Sequence, residues 1–287
     1  KKIRNDAKNR KAFIVFDNLE RIFDKPELME ELADIITLAD DSEFISNNVR
    51  LLIVGVPAGV KDYFSKTPNH RTIANRIIEL KEVTRLSEYE ASRVIKHGFE
   101  TELGYKIDEK NSAAITQHIL WVTDRIPQAL QDYCLTLALH AEKNGFKIHP
   151  NDLQIADRTW LTGTLNAAYQ TIESQLNERD TKVQRRNQVL YVLGKISESE
   201  FRTNDVENAI RTHLYEGKHD VTIGGVANCL AELADGNSAG GAKQILRRTT
   251  RGDAYMFIDP LYRMCIRAML RVSNEGKVEK IGLESIE

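Results

Sequence analysis

One acidic residue stands where a strand would present it to a ligand. The run Ala12-Phe13-Ile14-Val15-Phe16 is apolar, aromatic and branched, and it ends abruptly in Asp17, Asn18, Leu19 and Glu20. Such a run reads as a buried strand of a parallel sheet. Open parallel sheets place their ligands beyond the carboxyl ends of their strands. A carboxylate held there by a rigid strand can organise the Mg²⁺ of a bound nucleotide, so Asp17 is the candidate metal residue, with Asn18 beside it and Glu20 the nearest further acid.

A second group of candidates is basic. Lys243, Arg247, Arg248 and Arg251 cluster around a turn at Arg251-Gly252-Asp253, and Arg263, Arg267 and Arg271 recur at i, i+4 and i+8 on one helical face. Cations so spaced suit backbone-phosphate contacts without sequence readout, or docking on an acidic protein. Other chemistries lack their residues. The seven histidines show no metal-ligand spacing, and His97, His118 and His140 read as surface or half-buried side chains. No G-x-S-x-G elbow supports a nucleophilic serine. Cys134, Cys229 and Cys265 stand singly inside helical patterns and read as reduced, buried thiols of a cytoplasmic protein. A phosphate-cradling G-x-x-x-x-G-K-[ST] is missing, because the glycine-rich stretch from Gly236 to Lys243 is followed by Gln244 and no apolar strand leads into it. With so little before the first strand, and Lys1 rather than Met at its start, the chain reads as the later part of a nucleotide-binding protein.

The elements that must position these residues follow from periodicity. Helical spacing of Ile22, Leu28, Leu32, Ile35, Ile36 and Leu38 predicts a helix within 19–39, with Pro26 at a break or in its first turn. A second buried strand is expected at Val49–Gly55, a short helix at Val60–Phe64 and a third strand at Ile77–Leu80, giving a parallel sheet with crossover helices. From Ser87 the pattern becomes helical. The capping box Ser87-Glu88-Tyr89-Glu90 opens a helix to about Leu103, and others are expected at 108–122, 126–143, 151–157 and 161–179. A polar hinge at Thr181–Arg186 leads to three helices, at 183–195, at 203–214 with Thr203 as N-cap, and at 222–233. Strands at 244–249 and 254–258 then form a hairpin, and Asp259-Pro260 opens a final amphipathic helix. Three helices followed by a hairpin make a winged helix-turn-helix.

Composition narrows the partners. A length of 287 residues accommodates two or three domains. A net charge of -2 gives no global pull towards nucleic acid, and no apolar run approaches the ~18 residues of a membrane span. The third helix of the winged unit, Thr222 to Leu233, contains no Lys or Arg, and only Asn228 suits reading a base edge, so sequence-specific DNA recognition is not expected of it.

The order of these pieces resembles AAA+ and STAND-type P-loop NTPases, in particular the branch of initiator, transposition and NACHT-like signalling ATPases. The resemblance spans nearly the whole chain on short motifs. Phe13-Ile14-Val15-Phe16-Asp17-Asn18 is similar to a Walker B strand, which implies ATP and Mg²⁺ as cofactors and Asp17 as the metal-holding acid. Where the family often sets a second acid to orient water this chain has Asn18, so the parent protein either uses Glu20 in that role or holds ATP unhydrolysed. Leu51 to Pro57 resembles a sensor-1 strand, with Val56 in the place of its polar residue. Arg76 stands where the family carries an arginine finger, which implies self-assembly, and Arg71 and Arg85 are further candidates. The helical unit is similar to the family's lid. Within it, Thr123-Asp124-Arg125-Ile126-Pro127-Gln128-Ala129-Leu130 resembles the start of a sensor-2 helix. Anchored on Ala129-Leu130, one family form would place its arginine at Pro127; in the Gly-x-Pro form, which fits better, Pro127 is the proline and Arg125 replaces the glycine and is directed at phosphate.

The implied architecture is therefore an α/β parallel-sheet fragment of a P-loop ATPase core over 1–86, an all-α lid over 87–180 and a winged helix-turn-helix over 181–287. The implied function is that of an ATP-binding module in an oligomerising regulatory ATPase, with prokaryotic defence or transposition as its setting. The alternative is an initiator-like DNA-binding ATPase whose basic wing grips double-stranded DNA nonspecifically. Lacking a phosphate cradle, the chain by itself is expected to show no ATP turnover, and robust turnover by the purified chain would refute that reading.

Overall fold

The computed structural model describes residues 12–22, 25–39, 41–46, 49–54, 73, 75–78, 85–177, 184–217, 222–236, 243–249 and 252–283. The chain divides into two compact units, 1–83 and 84–287.

In the first unit, β1 (Ala12–Phe16) and β2 (Val49–Ile53) pair in parallel, from Ala12 opposite Val49 to Phe16 opposite Ile53. Parallel neighbours need a crossover, and α1 (Pro26–Leu38) lies between them in the chain, followed by the short α2 (Ser42–Ser46). Pro26 occupies the first turn of α1, where its missing N–H has no intrahelical partner to lose. Met29, Leu32, Ala33 and Ile36 form the apolar stripe of α1 and make a small core with Leu19 and Ile73, against which Phe16, Leu51 and Ile53 pack.

Two expectations for this unit fail. β1 is not buried on both faces among the described residues: Phe13 and Val15 are 60% and 55% exposed, while Ile14 and Phe16 are half-buried. The apolar run concealed an alternation because both faces carry the same residue types. The expected third strand does not form at its described residues either. The Ile77 N–H bonds to the carbonyl of Ile73 in a turn, and Ile78 is 86% exposed. Residues 79–80, the turn at Gly55–Gly59 and the helix expected at 60–64 lie outside the described residues.

The second unit opens with α3 (Glu88–Lys96), which runs on into a π-helical turn at His97–Glu102. Its capping box is reciprocal: Ser87 Oγ accepts the Glu90 N–H and Glu90 Oε2 accepts the Ser87 N–H. A short parallel pair, β3 (Lys106–Ile107) and β4 (Lys147–Ile148), brackets α4 (Ser112–Val122) and α5 (Pro127–Lys143). α6 (Pro150–Thr162) and α7 (Asn166–Gln175) replace the helices expected at 151–157 and 161–179, since the chain breaks at Gly163 rather than earlier.

Three helices come next, α8 (Arg185–Lys195), α9 (Thr203–Leu214) and α10 (Val226–Asp235), and then the hairpin β5 (Leu246–Arg248) and β6 (Tyr255–Phe257). Phe201, between α8 and α9, adds an antiparallel bridge to Tyr255. Thr203 is the first residue of α9 rather than its cap; the Asp205 carboxylate accepts the Arg202 N–H there. α11 (Pro260–Met269) begins as the sequence indicates, with Asp259 Oδ1 accepting the Leu261 N–H, and leads into a hairpin of β7 (Leu270–Val272) and β8 (Val278–Lys280).

α11 is buried around its circumference, Met264, Cys265, Ile266, Ala268 and Met269 all being at most 1% exposed. It packs on α4, α6, α7 and α8, so the segments before and after residue 180 share one hydrophobic core. It approaches α8 tightly at Gly194, where a Cβ would lie 2.8 Å from Ile266 Cγ2. Gly194→Ala should therefore force α8 and α11 apart and destabilise the second unit by about 1–3 kcal/mol, read by urea unfolding, despite the better helix propensity of Ala.

Candidate functional site

At the carboxyl end of β1 the chain turns sharply. The Val54 N–H bonds to the carbonyl of Phe16 and the Leu19 N–H to the carbonyl of Val54, closing the two strand ends on each other. Asn18 takes a left-handed conformation, φ 56°, which Asn tolerates better than most residues. Asp17 is exposed just past the last paired residue, and its Oδ1 accepts the Asn18 N–H at 2.7 Å. Glu20 follows in a 3₁₀ turn, Leu19–Ile22, with its side chain outside the described residues. Arg76 is exposed in a turn whose N–H bonds to the carbonyl of Ile73.

Arg125 and Pro127 belong to the second unit. Pro127 is the first residue of α5, a position suited to its fixed φ. Arg125 is left-handed, φ 58°, its carbonyl accepts the Leu86 N–H, and its guanidinium is 3.7 Å from the exposed Glu88 carboxylate. The charge concentrated at this turn belongs instead to its neighbour. Asp124, φ 53° and 3% exposed, is held by three arginines: Arg85 Nη2 at 2.7 Å and Arg263 Nη1 at 3.3 Å from Oδ2, and Arg267 Nη1 at 2.8 Å from Oδ1.

Most surplus donors of those guanidiniums find carbonyls, the buried Arg263 Nε excepted. Arg267 donates to the carbonyls of Gly194 and Trp121 and stacks 3.9 Å from the Trp121 ring centroid. Arg263 donates to the carbonyls of Ser197 and Glu198, and Arg85 also donates to Ser197. Burial lowers the pKa of both deep arginines, that of Arg267 to about 10, and the Asp124 charge opposes the shift.

This arrangement corrects the reading of Arg263 and Arg267 as part of a phosphate-facing stripe, while Arg271 stays exposed. Arg263 and Arg267 are only 3% and 5% exposed, and Arg271 donates to Asp157 Oδ2 at 3.0 Å. Asp157 Oδ1 accepts from Tyr133 Oη at 2.8 Å and lies 3.0 Å from His118 Nε2. The apolar residues interleaved with these arginines were the signal for burial, and the period-4 spacing alone concealed it.

The basic hairpin is also less uniform than its sequence. Successive strand residues face opposite sides, so Arg247, half-buried, and Arg248, exposed, are not on one surface. Arg248 lies 4.0 Å from Asp235 and over the Tyr255 ring, and Asp253 pairs with Arg202 at 2.8 Å. Lys243 is exposed, and Arg251 lies outside the described residues. α10 turns Ala227, Asn228, Glu232 and Asp235 outward, with Glu232 paired to Arg186. Among the described residues no group of His, Cys, Asp and Glu is arranged to hold a metal by itself, and no helix is long and apolar enough to cross a membrane. Cys134 is pushed up to about 12 by burial, which makes it an unreactive thiol.

No protein-family model matches the chain, and no curated protein matches it. Among solved structures it is similar to Cdc6p from Pyrobaculum aerophilum, at 15% identity and a TM-score of 0.38, over 93% of this chain and 68% of that one.

The geometry separates two neighbours in sequence. Asp124→Ala should cost about 3–5 kcal/mol, because it strands buried cations, whereas Arg125→Ala should cost under about 1 kcal/mol. Chemical unfolding of both variants checks this; equal costs would contradict it.

Proposed function

We propose that this chain is part of an ATP-binding regulatory NTPase of the AAA+/STAND kind that assembles with copies of itself. The observation that carries the reading is the strand end: an exposed acid immediately beyond a parallel pair, its carboxylate oriented by the next backbone N–H. Asp17 fits one ligand of a Mg²⁺ ion, which keeps water and phosphate oxygens for most of its shell and needs few protein carboxylates. Bound Mg²⁺–ATP would supply a phosphoryl group primed for transfer to water. The chain's own part is to hold the ion at Asp17 and to orient water near Asn18 and Glu20. Asn18 carries no carboxylate, so either Glu20 serves as the base or the nucleotide is held as a switch. Arg76, exposed in its turn, is the residue proposed to complete a neighbouring copy's site.

In this reading residues 87–180 form the lid, carrying Arg125 and Pro127 at its nucleotide-directed turn, and residues 181–287 form the winged helix. The three-helix-then-hairpin order and the Phe201 bridge support the winged-helix assignment. The wing is better suited to a protein partner than to DNA. Its two described arginines lie on opposite faces, acids sit beside it, and the outward face of α10 is acidic. A defence or transposition setting accords with such a regulatory module.

The test is Asp17→Asn in the full-length parent protein. ATP affinity measured with Mg²⁺ should fall about tenfold, roughly 1.4 kcal/mol, while affinity in EDTA and thermal stability stay as in the wild type. An unchanged Mg²⁺-dependent affinity would remove Asp17 from the site.

A further inference from the structure

A cavity of about 350 Å³ lies in the second unit between α4, α6, α8 and the junction of α11 with β7. Its volume is that of a small-molecule site. Its charged walls are cationic in excess: Lys195, Arg267 and Arg271 line it, and Asp157 is the acid among its lining residues. That acid is already engaged by Tyr133, His118 and Arg271. Arg267 is committed to Asp124 and two carbonyls.

Lys195 differs from the others. Among the described residues no carboxylate lies within ion-pair distance of its ammonium, which sits 4.6 Å from the Trp121 ring centroid and 5.1 Å from that of Tyr191. Two aromatic faces hold the cation in place but do not neutralise it. Burial, with Arg271 and Arg267 nearby, lowers its pKa. A half-buried ammonium is fixed over two rings in a cavity whose acid is spent. Beside it, Arg271 gives Nη1 to the carbonyls of Arg267 and Leu270 and one Nη2 N–H to Asp157, which leaves Nε and the second Nη2 N–H as the fork it can offer an anion.

We propose that this cavity is a binding site for a small phosphate-bearing molecule, with Lys195 and Arg271 as its charged donors. Phosphate is favoured over carboxylate because the two donors come from different elements, a point-like ammonium and a planar fork, and a phosphate offers three oxygens to satisfy both at once. The site uses no residue of the first unit and is independent of the nucleotide reading at Asp17. An occupant would bridge α8 to the α11–β7 junction, both of which follow residue 180, in a cavity that α4 and α6 also wall.

The experiment is ³¹P NMR of inorganic phosphate titrated with the intact chain in chloride buffer at constant ionic strength. Saturable line broadening is expected from the wild type. Lys195→Met, which keeps an unbranched stem over Trp121 and Tyr191, should weaken apparent affinity at least about tenfold, equivalent to 1.4 kcal/mol. Lys195→Gln provides a second variant should the first fail to fold, and far-UV circular dichroism verifies folding in each. Acetate at equal ionic strength should not displace the phosphate. Absence of saturable broadening, or equal broadening in a folded Lys195 variant, would overturn the site; displacement by acetate would overturn its phosphate class.

Discussion

The second unit is organised around a single buried carboxylate. Asp124 has almost no access to water, and three guanidiniums converge on it from far points of the sequence. A carboxylate taken out of water loses solvation that only such partners restore, and each partner buried with it incurs the same penalty. The arrangement is tolerable because the remaining donors are nearly all satisfied by carbonyls of Trp121, Gly194, Ser197 and Glu198. The carbonyls of Trp121 and Gly194 lie in the last turns of α4 and α8, where a helix leaves its last acceptors open, and those of Ser197 and Glu198 in the loop just after α8. The cluster therefore fastens the ends of two helices to the middle of a third. Consecutive left-handed residues at Asp124 and Arg125 persist in this setting because the ion pairs over-determine the turn.

That constraint bears on how such a module would work. A lid and a winged helix joined by a hinge could move apart freely. Here α11, the last helix, packs on α4, α6 and α7 as well as α8; its Arg267 is anchored to Asp124 and the following Arg271 of β7 to Asp157, both acids of the earlier segment. Large separation of these segments would expose apolar helix faces and leave buried charges unpaired, so a signal passing through residues 85–283 is better transmitted by the unit as a whole.

Much of this was legible in the sequence where local chemistry decides structure. The Ser87–Glu90 box, the Asp259-Pro260 start and the strand before Asp17 are written in a few adjacent residues and each element forms where read, the strand with one face exposed rather than buried. What escaped was decided by distant partners. Arg263 and Arg267 look like a solvated stripe until Asp124, about 140 positions away, is brought to them. Ile77 and Ile78 look like strand residues, yet the chain turns there instead, with the Ile77 N–H bonded back to Ile73. The two-residue strands β3 and β4 are too short to leave a period in the sequence. The candidate acid Asp17 was visible as a residue type in a position, whereas the cationic cavity, built from four separate segments, had no linear trace.

A double-mutant cycle between Asp124→Ala and Arg267→Met tests the central role of the buried carboxylate most directly. If the two groups stabilise the unit through each other, the double variant loses much less than the sum of the single variants. The coupling free energy from equilibrium unfolding should then be about 2 kcal/mol. Additivity within about 0.5 kcal/mol would mean that Asp124 and Arg267 act separately, and the account of this unit as a body locked by one carboxylate would be wrong.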